Sequence, residues 1–343
     1  MPNKFRLLYF GNKLQKHNKT PTSIDTLTPQ LQEFCYVVSV SDKLNIFARF
    51  FEMFFTLIRN RNKVDAILID TYSTFNFYYV FIISALARFF NIKYYPYLHG
   101  GNLPQRLENN KWMSDFIFKH SAVNIAPSGY LKKAFVLKGY KTIFIPNNIE
   151  ISNYPFTKRH YIKPKFLYVR AFSKVYNPQL AVKVFKTIVE KYPKAKMLMV
   201  GPDKDGTFEQ TKLLTKELNL EHSIEFTGKL SKEEWIKRSV EYDIFINPTS
   251  FDNQPVSIIE AMALGLIVVS TNVGGLPYLI ENEVDGFLVN KDEVEMSNQI
   301  LSILDKNLEY LSIQAREKAL QYTWQNVSEQ WQKIFYKDTS NDT

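Results

Sequence analysis

Two carboxylates, Asp252 and Glu260, bracket the start of a predicted helix in the segment Asn247-Pro248-Thr249-Ser250-Phe251-Asp252-Asn253-Gln254-Pro255-Val256-Ser257-Ile258-Ile259-Glu260-Ala261-Met262-Ala263-Leu264-Gly265. Pro255 suits the first helical position, and Gly265 lies just past the end, where a left-handed cap is wanted. The first amides of a helix have no partner within it, and together with the helix dipole they attract phosphate. Acids on both sides of such a site suit a ligand with hydroxyls on either side of a diphosphate. A nucleotide sugar is a ligand of that kind.

Either acid alone reads as an ordinary solvated side chain; the surrounding pattern gives the pair its weight. An apolar run of buried-strand type, Leu266-Ile267-Val268-Val269-Ser270, follows the helix. Then comes the turn Thr271-Asn272-Val273-Gly274-Gly275-Leu276-Pro277, which leads into Tyr278-Leu279-Ile280-Glu281.

This order resembles the C-terminal half of the retaining glycosyltransferases of family 4, whose signature is Glu-x7-Glu, then Ala-Met-Ala-x-Gly, then a Gly-Gly turn. The chain departs from it in three places. Asp252 replaces the first Glu, Asn253-Gln254-Pro255 replaces Gly-Phe-Gly, and Tyr278 stands where an acid is usual. The resemblance implies the GT-B fold and assigns roles to further positions, each just after a predicted strand. His99, followed by Gly100-Gly101-Asn102, matches the His that approaches the donor sugar, although a lone His is commonly structural. Gly11-Asn12-Lys13 falls where the family has a Gly-rich loop near the acceptor, and Gly100 joins that side. Arg170 and Lys174 match the Arg and Lys that grip the donor diphosphate, by bidentate and point-charge contacts respectively. Gly201, Gly228 and Lys229 fall where the nucleotide base rests against backbone.

The chemistry implied is transfer of a sugar from an activated donor with retention of configuration. The sequence offers no Asp-x-Asp and no His/Cys spacing for zinc, so no metal or other cofactor is expected. Arg170, Lys174 and the amides of Asn253, Gln254 and Val256 would stabilise charge on the departing diphosphate in place of a divalent ion. Glu260 would hold the ribose hydroxyls and Asp252 the transferred sugar. No carboxylate stands out as a covalent nucleophile, so a front-side route is expected. A sugar-nucleotide epimerase or phosphorylase of the same fold, or a non-catalytic glycan-assembly subunit, stays open beside this reading.

Composition adds a direction. Residues 1–157 carry 19 Lys/Arg against 9 Asp/Glu, and residues 158–343 carry 24 against 25. The first half is therefore strongly basic and the second neutral, which points to an anionic partner for the first half. Lys13, Lys16 and Lys19 lie there, as does the aromatic stretch Phe47-Ala48-Arg49-Phe50-Phe51-Glu52-Met53-Phe54-Phe55. That stretch reads either as aromatic core or as a basic, aromatic face resting on anionic lipid. No nucleic-acid module is visible. Cys35 is the single cysteine, so no internal disulfide can form, and the N-terminal apolar run is too short for a signal peptide. The apolar window 75–90 is too short to span a bilayer and reads as a buried helix. The expected location is the cytoplasm, at the inner face of the membrane, with a nucleotide-sugar donor and a glycan or lipid-linked acceptor of cell-envelope polysaccharide synthesis as partners.

Strands and helices that alternate must position these residues. Strands are expected at 6–10, 66–69, 93–98, 122–126 and 142–145, then at 166–169, 196–200, 224–226, 244–247, 267–270 and 287–289. Helices are expected at 43–60, 75–90, 111–120 and 128–138, then at 178–192, 207–219, 231–241, 256–264, 276–281 and 293–304. Such alternation predicts an α/β chain with parallel sheets covered on both faces. With the resemblance, it becomes a GT-B arrangement of two Rossmann-like doubly wound parallel-sheet domains facing across a cleft, with ligands at the carboxyl ends of the strands. The domains are expected at 1–156 and 157–322, with a C-terminal helix over 323–343 crossing back onto the first. Asn147-Asn148 reads as a turn, and Trp324 and Trp331 as packing anchors on one helix face.

Overall fold

A computed structural model describes residues 4–17 and 21–337. Met1 to Asn3, Lys19 and the end of the expected C-terminal helix, 338–343, lie outside the described residues. Two compact units divide the chain, Met1–Pro146 with Trp324–Thr343 and Asn147–Thr323.

The first unit holds strands β1 (Phe5–Phe10), β2 (Cys35–Val40), β3 (Ala66–Thr71), β4 (Lys93–Leu98), β5 (Asn124–Ala126) and β6 (Thr142–Phe144). They pair in parallel in the order β2-β1-β3-β4-β5-β6. Its helices are α1 (Ser23–Leu31), α2 (Ile46–Asn60), α3 (Asn76–Phe89), α4 (Leu103–Asn109), α5 (Lys111–Phe118) and α6 (Gly129–Leu137). A central parallel strand buries both faces, so its side chains divide between two cores. In β1, Leu8 and Phe10 join Met53, Leu57, Val80 and Ile83 of α2 and α3. Phe5, Leu7 and Tyr9 join Ile24, Leu27 and Leu31 of α1 on the opposite face. Cys35 is buried beside them, and burial pushes its thiol up to about 12.

In the second unit the strands are β7 (Lys165–Val169), β8 (Lys196–Val200), β9 (Ile224–Gly228), β10 (Ile244–Asn247), β11 (Ile267–Thr271) and β12 (Phe287–Val289). They run parallel in the order β12-β11-β10-β7-β8-β9. Its helices are α7 (Pro178–Lys191), α8 (Thr207–Glu217), α9 (Lys232–Ser239), α10 (Val256–Ala263), α11 (Glu293–Ile303) and α12 (Glu309–Leu320). The last helix, α13 (Trp324–Lys337), packs Trp324, Val327, Trp331 and Phe335 into the core of the first unit.

Several expectations are revised. The chain divides at Pro146/Asn147 rather than at 156/157. The intervening segment is bonded into the second unit, through Asn147 to Gln254 and Tyr154 to Glu260. The helix expected over 276–281 is one 3-10 turn, Leu276–Tyr278, because the Glu281 N–H is taken by the Asp285 carboxylate at 2.8 Å. Helix α3 is buried on one face only. Phe77, Val80 and Ile83 are inside, while Phe75, Tyr78 and Phe89 are exposed. Helices α1, α4 and α12 and strand β2 were not foreseen. In α1 the Ser, Thr, Asp and Pro residues read locally as turn material, yet Thr22 and Asp25 form a capping box that starts the helix.

Candidate functional site

Each sheet has one point where the strand order reverses, and in open α/β sheets ligands bind at the carboxyl ends of the strands there. In the second unit that point lies between β7 and β10. Arg170 leaves the end of β7, and the loop carrying Asp252 leaves the end of β10. The Arg170 Nη2 donates to Asp252 Oδ2 in a close ion pair, and the Arg170 Nη1 lies 3.5 Å from Ser257 Oγ in the first turn of α10. The guanidinium also stacks over Tyr176, 3.9 Å from the ring centre. Its Nε is buried without a hydrogen-bond partner. Burial opposes the Arg170 charge, but Asp252, Tyr176 and Tyr168 outweigh it and hold the pKa above its ordinary value. Burial also pushes the Asp252 carboxyl upward, against the pull of Arg170 and the Asn253 amide. A guanidinium keeps its proton in proteins, so the Arg170 charge is fixed beside Asp252.

Three loops brace this centre. The Val175 carbonyl after β7 accepts from Ser250 N at 2.7 Å and from the Thr249 hydroxyl at 3.0 Å. The Thr271 hydroxyl at the end of β11 donates to Thr249 O at 2.6 Å. The Gly274-Gly275 turn lies directly under the Asp252 loop. The Gly275 N–H donates to Asp252 O at 2.8 Å, and a Cβ on Gly275 would run into the Asn253 carbonyl. Glycine is required there by close backbone approach.

The helix starts at Val256, as the expected range 256–264 has it, but Pro255 takes the cap position rather than the first helical one, with an extended backbone (φ −71°, ψ 118°). Extended ψ at the cap turns the incoming loop toward Arg170 before α10 begins. Gly265 follows α10 with φ +77°, in the left-handed region expected. The Asn253 N–H donates to Asp252 Oδ1 at 3.0 Å, so that amide is already engaged. Gln254 is buried and accepts from Asn147 N through its side-chain Oε1 at 2.7 Å, so Asn147 braces the loop as well as turning the chain.

Glu260, inside α10, is 6% exposed. Its Oε1 accepts from the Tyr154 hydroxyl and pairs with Lys232 Nζ, both at 2.7 Å. Burial, then the Glu260 charge, drive the Tyr154 hydroxyl far above its ordinary pKa. The expected base-binding residues are less tightly built. Gly201 lies against the Arg170 carbonyl and donates to Gly228 O at 2.8 Å, while Lys229 is exposed. Lys174 is exposed and is held by its backbone N–H, which donates to Asp205 Oδ2 at 3.0 Å.

The switch point of the first unit lies between β1 and β3. There the His99 Nε2 is 2.7 Å from Asp70 Oδ1, which also accepts from the Tyr9 hydroxyl at 2.9 Å. The imidazole stacks on Tyr72 and meets the Tyr97 ring edge-on, with centroids 5.1 and 4.2 Å away. Its Nδ1 lies 3.4 Å from the Ser23 hydroxyl. Asp70 is fully buried, and its Oδ2 has no hydrogen-bond partner. Gly11 follows β1 against that oxygen, where a Cβ would collide with it. Asn12 Oδ1 accepts from Arg49 Nη1 at 2.5 Å and from the Tyr79 hydroxyl at 3.3 Å. Lys13 Nζ is tied to Ser39 Oγ at 2.9 Å, and Gly100 packs against the Ser73 backbone.

Of the residues singled out from the sequence, the structure pairs Arg170 with Asp252 and sets Glu260 and His99 in clusters of their own. Sequence reasoning missed their partners Tyr176, Tyr154, Lys232 and Asp70. Asp70 carried a readable signal, as an acid closing the apolar run Ala66-Ile67-Leu68-Ile69. Tyr154 and Lys232 carried none, since they reach Glu260 from distant parts of the second unit.

Residues 155–321 match the family described as Glycosyl transferases group 1. An uncharacterized glycosyltransferase of Haemophilus influenzae is 29% identical over 157 residues, 45% of this chain and 43% of that protein. The chain spans less than half the length of the first curated relatives that it matches. Among solved structures, the sucrose-phosphate synthase of Thermosynechococcus elongatus superposes with a TM-score of 0.80 at 15% identity, covering 99% of this chain and 100% of that one. Anabaena HepE, solved in complex with UDP and glucose, gives a TM-score of 0.73 at 15% identity, covering 96% and 98%. By fold this chain is a two-domain α/β protein of the GT-B type, and its second unit carries the glycosyl transferases group 1 pattern.

Proposed function

We propose that the chain is a retaining glycosyltransferase. It takes a sugar from a nucleotide-sugar donor and passes it to a glycan or lipid-linked acceptor in cell-envelope polysaccharide synthesis. The reading further holds that it works in the cytoplasm with its basic first unit against the inner face of the membrane, and that it needs no metal. The observation that carries it is the Arg170–Asp252 pair at the switch point of the second unit, set against the first turn of α10.

In this reading the diphosphate lies at the start of α10, where helix amides and the Arg170 guanidinium take its oxygens. Asp252 orients the guanidinium through Nη2 and offers its own oxygens to the sugar hydroxyls. Glu260 takes the ribose, with Lys232 and Tyr154 fixing its carboxylate. Lys174, Gly201, Gly228 and Lys229 line the nucleotide, and His99 approaches the donor sugar beside Gly11, Asn12, Lys13 and Gly100 on the acceptor side. Positive charge fixed before the reaction stabilises the leaving diphosphate without reorganisation. In a front-side route the bond from the sugar to the phosphate oxygen breaks as the bond to the acceptor oxygen forms, and the leaving phosphate takes the acceptor proton on the same face. The binding of UDP and glucose by Anabaena HepE supports a nucleotide-sugar donor.

The test is a panel of nucleotide sugars incubated with the protein, read as slow release of nucleoside diphosphate without acceptor. Release from one donor is expected. An isomerised donor would replace transfer by epimerisation, and binding without turnover would make the chain a non-catalytic subunit.

A further inference from the structure

The outer face of α2 is unusual for a water-exposed helix. Phe47, Phe51 and Phe55, spaced one turn apart, are 74, 54 and 53% exposed. Ile46 and Leu44 at the start of the helix are also more than half exposed. Phe51 stacks on Phe55 at 6.4 Å, and the one-turn spacing puts Phe47 on the same face. The opposite face is anchored by Arg49, Met53 and Leu57, all buried. Lys43 lies at one end of the stripe, and Arg59, Arg61 and Lys63 at the other. Segment 42–63 carries five Lys/Arg against Asp42 and Glu52, and Glu52 is hydrogen-bonded to the Ser41 hydroxyl.

We propose that this face of α2 docks on an anionic bilayer surface, with the helix lying in the interface plane and the three Phe rings entering the acyl boundary. Exposed aromatics on one side of an amphipathic helix with cations at its ends match the pattern of interfacial helices. Anionic headgroups supply the charge that the excess of cations calls for. The inference deepens the membrane contact in the function proposed above. It locates that contact on one helix and moves it away from Lys13, whose amine is bonded to Ser39. It also ties the docked helix to the acceptor-side loop. Arg49 leaves the buried face of α2, binds the Lys43 carbonyl through Nε and Nη2 at 3.0 and 2.8 Å, and reaches Asn12 Oδ1 with Nη1. A helix seated on the bilayer thereby holds Asn12 at a fixed distance from the headgroups, which suits a lipid-linked acceptor.

The experiment is flotation of the full chain with phosphatidylcholine vesicles, with and without phosphatidylglycerol. The parent protein should float only with the anionic vesicles. The triple variant Phe47→Ser/Phe51→Ser/Phe55→Ser should stay at the bottom while keeping its melting temperature, because the three rings lie outside the core. Arg59→Glu or Arg61→Glu should weaken binding about fivefold for each positive charge lost. Flotation of the triple variant like the parent, or a parent that does not float, overturns the inference. So does a parent dimer that the triple variant converts to monomer, since the face would then pair two copies of the chain. Donor turnover measured in vesicle-free buffer separates the two proposals: flotation without turnover sinks the transferase reading and leaves the docking surface standing.

Discussion

At the scale of single residues, Arg170 and Glu260 separate two jobs that the motif had joined. Arg170 has no hydrogen-bond partner at Nε while Nη2 holds Asp252, and under the proposed function its loss removes charge from the place where the diphosphate would leave. Arg170→Ala should lower the rate of transfer by about 100-fold, roughly 3 kcal/mol of barrier. Because Asp252 then stays buried without its partner, the melting temperature should fall as well. Arg170→Lys restores charge without the planar fork and should recover stability more than rate. Equal recovery of both in steady-state kinetics and thermal melts would reduce Arg170 to a structural ion pair. Glu260 differs in its partners. Removing it frees Lys232, which is more than half exposed and can turn to solvent, but leaves the buried Tyr154 hydroxyl without its acceptor, so Glu260→Ala should cost about 1–3 kcal/mol of stability. It should abolish the rise in melting temperature caused by nucleoside diphosphate. An unchanged ligand-induced rise would remove Glu260 from the binding site. Asp252 and Glu260 were legible in the sequence because one helix start and its loop position both. Tyr154 and Lys232 were not, because packing brings them to Glu260 from 106 and 28 positions away, on other elements, and no local pattern records that.

At the scale of elements, the site depends on how the loop ends of adjacent strands stack. The order of β11, β10 and β7 sets three loops side by side, and the Gly274-Gly275 turn is the layer beneath Asp252. Gly275→Ala places a methyl group against the Asn253 carbonyl, so one loop must move. The cost should exceed about 1 kcal/mol of stability. The shift should reach Asp252 directly, because the Gly275 N–H holds its carbonyl. Donor turnover should therefore fall further than stability alone accounts for, and a loss of stability with full turnover would show that the Asp252 loop tolerates displacement. These strands were readable because buried parallel strands appear as short apolar runs, and β4, β8, β10 and β12 fall on the expected boundaries. Helix α1 and strand β2 escaped notice for the converse reason. The helix is rich in residues that favour turns when taken singly, and tertiary packing of Ile24, Leu27 and Leu31 decides its conformation.

At the scale of the whole molecule, the last described helix belongs to the same unit as the first strand. Helix α13 follows 177 residues of the second unit, Asn147–Thr323, yet its apolar face completes the core of the first. Trp331 is 1% exposed, stacks on Phe335 and meets the ring of Tyr97, the residue whose edge also packs on His99. The first sheet is therefore covered on one side by a helix supplied from the far end of the sequence. Truncating a buried Trp to Ala typically costs about 3–5 kcal/mol. In Trp331→Ala that cost should fall on the first unit alone. Calorimetry should then show one transition moving down, while the transition that rises with nucleoside diphosphate stays in place, since Arg170, Asp252 and Glu260 all belong to the other unit. If both transitions fell together, the units would unfold as one, and α13 would act as a clasp for the entire chain rather than as the closing layer of a single sheet.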